Sequence, residues 1–281
     1  MIDQTQWEME ADRLTRTHQM IVRQLREAEN ELRSQQTETL SLQSQMWAEV
    51  GLSNKSSSDD VLSGQYLDAL RLNRAIKHDQ TLSVLNLRHM EEHAYFGRVD
   101  FRRQGADNTR STYIGISTLY DPETQEILIC DWRAPISSLF YENTAGETSY
   151  DGPNGPIRGE LTGKRQYKCS HDRLVYCLDS TVTIQDEILQ ETLSRHGDSR
   201  MHNIVSTIQE HQNRIICENI RSRVAVQGVA GSGKTAVALH RVAWLLYRYR
   251  KDALDYSQIL FLTPNRAFVN YIRDVLPELG E

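Results

Sequence analysis

Nowhere in the 281 residues is there a run of the ~20 consecutive apolar side chains that a membrane-spanning helix needs. The opening residues, Met1-Ile2-Asp3-Gln4-Thr5-Gln6-Trp7-Glu8, lack the basic and apolar regions of a secretory leader. Cysteine is sparse: Cys130, Cys169, Cys177 and Cys217 are scattered without a C-x2-C pair, which points away from a zinc site and from a disulfide framework. A formal charge of −6 argues against a surface that grips phosphate backbones everywhere, while leaving room for a local basic groove. With 25% charged and 39% hydrophobic residues the composition is globular. These absences describe a cytoplasmic chain with no membrane segment, long enough for one large domain or two ordinary ones.

Glycine and proline are also missing from Met1 to Val50, a stretch rich in Glu, Gln, Arg and Leu. A heptad written from Leu14 places Leu14, His18, Ile21, Leu25, Ala28, Leu32, Gln35, Thr39, Leu42 and Met46 on one seam, mostly apolar. A second helical pattern follows through Leu62, Tyr66, Ala69, Ile76, Leu87 and Met90. Between them lies Gly51-Leu52-Ser53-Asn54-Lys55-Ser56-Ser57-Ser58-Asp59-Asp60, dense in turn formers and helix caps. Residues 1–93 therefore read as a long antiparallel helical hairpin. Its first helix would project on the order of 60–70 Å at ~1.5 Å per residue. From the residues alone such an arm is a dimerising coiled coil or a solvated spacer.

Residues 94–190 read as a small antiparallel β module of four to six strands. Its signals are Tyr113-Ile114-Gly115-Ile116, Glu126-Ile127-Leu128-Ile129-Cys130, Gln166-Tyr167-Lys168-Cys169 and Leu174-Val175-Tyr176-Cys177-Leu178. Turn signals at Asp121-Pro122-Glu123-Thr124 and Asp151-Gly152-Pro153-Asn154-Gly155-Pro156 separate them. Asp131-Trp132-Arg133-Ala134-Pro135 reads, by composition, as a strand end with a surface Asp131–Arg133 pair and a half-buried Trp132.

Residues 191–281 turn α/β. Ile184–Leu193 and Asn203–Asn219 look helical, Val224-Ala225-Val226 and Ile259-Leu260-Phe261-Leu262 look like strands, and Ala236–Tyr249 and Ala267–Leu276 like helices. Strand, helix, strand, helix is the start of a parallel sheet. Within it Gly228-Val229-Ala230-Gly231-Ser232-Gly233-Lys234-Thr235 matches G-x-x-x-x-G-K-[ST] at every fixed position. Glycines are needed there because side chains at Gly231 or Gly233 would hold the backbone N–H groups off the phosphates. Lys234 is expected to reach the β- and γ-phosphates, and the Thr235 hydroxyl to ligate Mg2+. Gln212, in Ile208-Gln209-Glu210-His211-Gln212-Asn213-Arg214, has an amide that can meet an adenine edge, though by itself it reads as an exposed helix residue. The fold class expected is an incomplete, RecA-like α/β P-loop unit preceded by the helical hairpin and the β module.

Together these segments resemble superfamily 1 helicases of the UvrD/Rep type, with Gln212 in the Q-motif, Gly228–Thr235 in motif I and Leu262-Thr263-Pro264-Asn265-Arg266 in motif Ia. The closer resemblance is to the HelD family and covers nearly the whole chain. It rests on the hairpin, on Tyr113-Ile114-Gly115 followed by Asp131 to Tyr141, on Gly163-Lys164-Arg165-Gln166-Tyr167, and on Val275 to Glu281. The resemblance implies a helicase-like ATP hydrolase using ATP and Mg2+, whose arm enters the secondary channel of bacterial RNA polymerase core and whose ATP turnover releases and recycles the polymerase. Asp59 and Asp60, paired at the tip, could then approach a metal ion in that channel; otherwise Asp59 caps the second helix.

The second acidic motif, the arginines and the second lobe that such motors need do not appear before Glu281. The chain is therefore expected to be the N-terminal part of a longer ATPase and to be inactive alone. Two other readings compete: a 3′–5′ DNA helicase acting on single-stranded DNA, and a non-enzymatic arm with an inherited P-loop.

Overall fold

The computed structural model describes residues 3–50, 57–142, 145–152, 154–179, 205–229, 231–252, 254, 256–263, 265–276 and 279, with side chains for most of them. Helix α1, Gln4–Val50, runs for 47 residues. It is started by Asp3, whose carboxylate accepts the Gln6 N–H at 2.7 Å. Helix α2, Ser57–Glu92, returns for 36 residues and packs along α1. The heptad seam holds at the base: Leu14, Ile21 and Leu25 are buried together with Val84 and Met90. Each such side chain contributes ~1.5–3 kcal/mol of transfer free energy. Farther out Arg88 of α2 bridges to Glu29 of α1 at 2.7 Å.

Among the described residues seven strands follow, all between residues 97 and 179: β1 Gly97–Arg103, β2 Arg110–Gly115, β3 Leu119–Tyr120, β4 Ile127–Asp131, β5 Gly146–Gly152, β6 Gly155–Ser170 and β7 Arg173–Asp179. They form one sheet in the order β3-β4-β2-β1-β6-β5, with β7 also on β6. The sheet is mixed rather than purely antiparallel, because β2 and β4 run parallel through Ile114↔Cys130 and Gly115↔Asp131. Gly115 is required at that crossing: a Cβ there would lie 2.7 Å from Ile129 Cγ2 and 2.8 Å from the Ala94 carbonyl. In β6 the register slips, Gly163 facing Asp100 and Leu161 facing Phe101, so Thr162 is bulged out and the side-chain alternation inverts.

The two faces of the sheet bury different partners. On one, Tyr95, Tyr113, Ile129, Tyr167, Cys169 and Cys177 pack against Leu14, Ile21 and Met90 at the base of the arm. On the other, Val99, Phe101, Ile114 and Leu161 share a core with residues of the C-terminal helices. Those helices are α4 Glu210–Ile216, α5 Lys234–Arg248 and α6 Arg266–Val275. A short helix α3, Ser138–Tyr141, sits between β4 and β5.

The arm is fixed to the sheet by a buried polar cluster around Glu10, which is 5% exposed. Its Oε1 accepts from Arg98 at 2.5 Å and Arg165 at 3.0 Å, and its Oε2 accepts the Tyr113 hydroxyl at 2.9 Å. Arg98 also binds Asp100 and Arg165 binds Asp179, so each guanidinium meets two carboxylates, with Glu10 shared between them. The Arg13 guanidinium lies 3.9 Å from the Tyr113 ring centre.

Several expectations need correction. Val224-Ala225-Val226 and Ile259-Leu260-Phe261-Leu262 form no strands, and no strand lies among the described residues beyond β7. Val224 and Val226 are 39% and 37% exposed, Leu260 and Leu262 82% and 88%. A strand exists only where a neighbour takes its N–H and C=O groups, and neither run has one here. Of the helix expected over 203–219, the described residues form a 3-10 turn, Val205–Thr207, and α4. The helix expected over 184–193 lies outside the described residues.

The four cysteines are free thiols, three of them buried. Burial raises the thiol pKa of Cys169 and Cys217 to about 12 and that of Cys177 to about 11. Thiolate is the reactive form, so alkylation near neutral pH is expected to be slow in the folded chain and to become fast only on unfolding. Rapid labelling of Cys169 or Cys177 in native buffer would contradict this packing.

Candidate nucleotide site and its brace

The candidate phosphate loop, Gly228–Thr235, owes its shape to its glycines. Gly231 and Gly233 have φ of +82° and +80°, a left-handed conformation that other residues reach only with strain. Gly233 is also the residue that opens α5. A Cβ at Gly228 would lie 2.6 Å from Ser232 Oγ, so the ends of the loop close on each other. The Ser232 N–H donates to the Val229 carbonyl at 3.3 Å. Lys234 is wrapped inside: its ammonium donates to the carbonyls of Gly228 at 2.9 Å and Val229 at 2.6 Å. Thr235 follows, half-buried in the first turn of α5, and Val229 is 79% exposed. Ala230 lies outside the described residues.

Gln212 is brought to this loop rather than left in solvent. Its Oε1 accepts the Gln209 N–H at 3.1 Å, and its Nε2 lies 3.4 Å from where a Gly233 Cβ would be. The reading of Gln212 as an exposed helix residue is thereby corrected. Arg241 of α5 locks the two helices together. Its guanidinium donates to the carbonyls of Ile215, Ile216, Glu218 and Asn219 at 2.7–3.2 Å, capping the C-terminal end of α4.

Nothing in the spacing of the sequence pointed to Arg241. Its role follows only from α5 lying across the end of α4.

The Asp131-Trp132-Arg133 corner is not a surface feature. Asp131 is 2% and Arg133 5% exposed. Asp131 Oδ1 accepts from the Arg133 backbone N–H at 2.8 Å and from its Nε at 2.9 Å, while Oδ2 accepts from Nη2 at 2.7 Å. Ser137 Oγ donates to the Asp131 carbonyl at 2.7 Å. Trp132, 3% exposed, touches His240 of α5, and Arg133 lies against Tyr247 of α5. An i,i+2 Asp–Arg pair looks the same in sequence whether it faces water or a helix.

A polar cleft of about 470 Å³ opens between α3, β6 and α4, lined by Phe140, Lys164, Gln166, Gln209, His211 and Arg214 among others. Lys164 donates to the backbone carbonyls of Phe140 and Glu142. Burial pulls the Lys164 pKa down and pushes that of Glu142 up.

The remaining sequence candidates stand apart. Asp59 and Asp60 fall in the first turn of α2, with side chains outside the described set. In the motif Ia segment Leu262 is exposed, the Thr263 hydroxyl donates to the Asn265 carbonyl at 3.4 Å, and Arg266 opens α6. Among the described residues, no group of three His, Cys, Asp or Glu side chains could hold a metal ion. None of the described helices is long and apolar enough to cross a membrane.

A family model described as DNA helicase IV HelD, N-terminal domain, matches residues 7–196, more than half of the chain. The chain belongs to the HelD family. No curated protein matches it. The HelD match spans the arm and the sheet and ends before α4 and the phosphate loop, so the loop is a separate observation beside it.

Proposed function

We propose that this HelD-family chain is the arm-bearing, nucleotide-binding part of a helicase-like ATPase that binds RNA polymerase through its helical hairpin and uses ATP hydrolysis to release it. The observation that carries the reading is the phosphate loop: two left-handed glycines leading into a helix whose first residue is a lysine. The residues present fit a nucleotide triphosphate. Around Gly231 there is nothing within 4 Å of an added Cβ, so the loop backbone is open to a bulky anion. The positive end of α5 favours negative charge there. Lys234 would exchange the Gly228 and Val229 carbonyls for phosphate oxygens, and Gln212 stands beside the loop for the base. When bound, Mg·ATP supplies the phosphoanhydride whose cleavage drives the cycle; Thr235 is the one residue of the loop that would ligate the metal. The RecA-like character of residues 205–279 belongs to this same reading.

Two measurements test it. Lys234→Ala is expected to weaken ATP binding by roughly 10- to 100-fold, the ~1.5–3 kcal/mol of a charge-assisted hydrogen bond, while leaving polymerase binding intact. Unchanged ATP affinity would show that the loop is not the nucleotide site. For the partner, a pull-down of bacterial RNA polymerase core by the chain, with and without residues 1–93, is expected to capture polymerase only when the arm is present. Capture that survives removal of the arm would sink the probe model. Binding instead to single-stranded DNA, collapsing steeply between low and moderate salt, would favour a DNA helicase.

A further inference from the structure

β4 touches both the arm and the phosphate-loop helix, and its C-terminal corner is built to feel α5. The Trp132 indole meets the His240 imidazole edge-on, with ring centroids 5.5 Å apart and planes at 68°. The Arg133 guanidinium, clamped by Asp131, lies 4.8 Å from the centre of the Tyr247 ring. His240 and Tyr247 are two turns apart, so the corner grips α5 along its length. His240 is itself only about 9 Å along the axis from Lys234, at ~1.5 Å per residue.

The contact between Trp132 and His240 is incompletely satisfied. His240 Nδ1 is 2.6 Å from the Ala236 carbonyl, which can only accept, so Nδ1 carries the proton and Nε2 is a bare acceptor. Burial lowers the pKa of this ring and keeps it neutral. Among the described residues Nε2 is buried without a partner, and so is Nε1 of Trp132, a donor. A donor and an acceptor therefore sit on two rings that already touch, and pairing them would require α5 to shift against β4. Such a contact has two arrangements available rather than one.

On its other face the same strand meets the arm. Ile129 packs with Leu14 and Ile21, and Arg13 of α1 donates to the Leu128 carbonyl at 3.4 Å. Movement at Trp132 thus has a short, packed route to α1.

We propose that Trp132 is a positioning residue for the phosphate loop: it sets where α5 stands against β4, and a shift of α5 that pairs Trp132 Nε1–H with His240 Nε2 is passed through β4 to the base of the arm. The second half of this rests on the nucleotide reading above; the first does not.

The test uses the full chain and Trp132→Phe, which keeps an aromatic ring but removes the N–H and part of the contact. Without nucleotide, amide hydrogen exchange at residues 231–237 is expected to be several-fold faster in the variant, while β6 amides are unchanged. Equal exchange at 231–237, or faster exchange throughout the sheet, would overturn the positioning role, the latter because it marks a merely structural tryptophan. With saturating Mg·ATP, exchange at residues 10–25 is expected to change at least two-fold in the wild type and not in the variant. An arm that ignores bound ATP in the wild type would overturn the transmission. Absence of ATP binding by the wild type would instead defeat the nucleotide reading and with it the transmission, and the nucleotide-free exchange would still decide the positioning.

Discussion

Arg133→Ala is expected to destabilise the chain by about 3–5 kcal/mol, because it leaves the Asp131 carboxylate buried without its counter-charge. The geometry makes this a severe case: both side chains are at least 95% buried, and three hydrogen bonds converge on one carboxylate. Tyr247 loses its cation at the same time. Chemical denaturation should show the midpoint falling while its slope stays constant. The cost lies in stranding one charge, not in losing the pair. The double variant Asp131→Asn with Arg133→Met should therefore recover much of the loss, since asparagine still offers Oδ1 to the backbone N–H of residue 133 and methionine fills the space against α5. A double variant as unstable as Arg133→Ala would mean that the charges themselves, and not their pairing, hold the corner.

Composition alone misplaces the same corner at the surface. Leu14, Ile21 and Leu25 were legible as a seam because helical spacing states which residues share a face, and they are buried as that spacing requires. The glycine turn that opens α5 was legible because Gly231 and Gly233 answer a backbone demand that only glycine meets cheaply. Strand β1, Gly-Arg-Val-Asp-Phe-Arg-Arg, was missed: its charged residues suggest solvent, yet Arg98 and Asp100 belong to the Glu10 cluster. Strand β5 was missed for a related reason, since Gly146–Gly152 carries a single large hydrophobic residue and is held by pairing with β6. Conversely, Val224–Val226 and Ile259–Leu262 have the composition of strands without the neighbours that make one. Burial of charge and pairing of strands are tertiary facts, and neither is written in local spacing.

Glu10→Ala is expected to have the second largest effect, about 3 kcal/mol, and to release the arm from the sheet without dissolving either. The Tyr113 hydroxyl would lose its acceptor while buried, and Arg98 and Arg165 would face each other across the space that the carboxylate filled. Each guanidinium keeps a second carboxylate, Asp100 or Asp179, which is why the loss should be smaller than for Arg133→Ala. High salt should restore little of it, because buried charges are poorly screened. Hydrogen exchange should accelerate in residues 4–17 and in β7, with α5 unaffected. If the arm acts as a rigid probe, this variant should weaken capture of the polymerase more than binding of ATP, the reverse of Lys234→Ala. Polymerase capture at wild-type strength from an arm shown by exchange to be loosened would mean that the partner reads the hairpin alone and not its angle to the sheet.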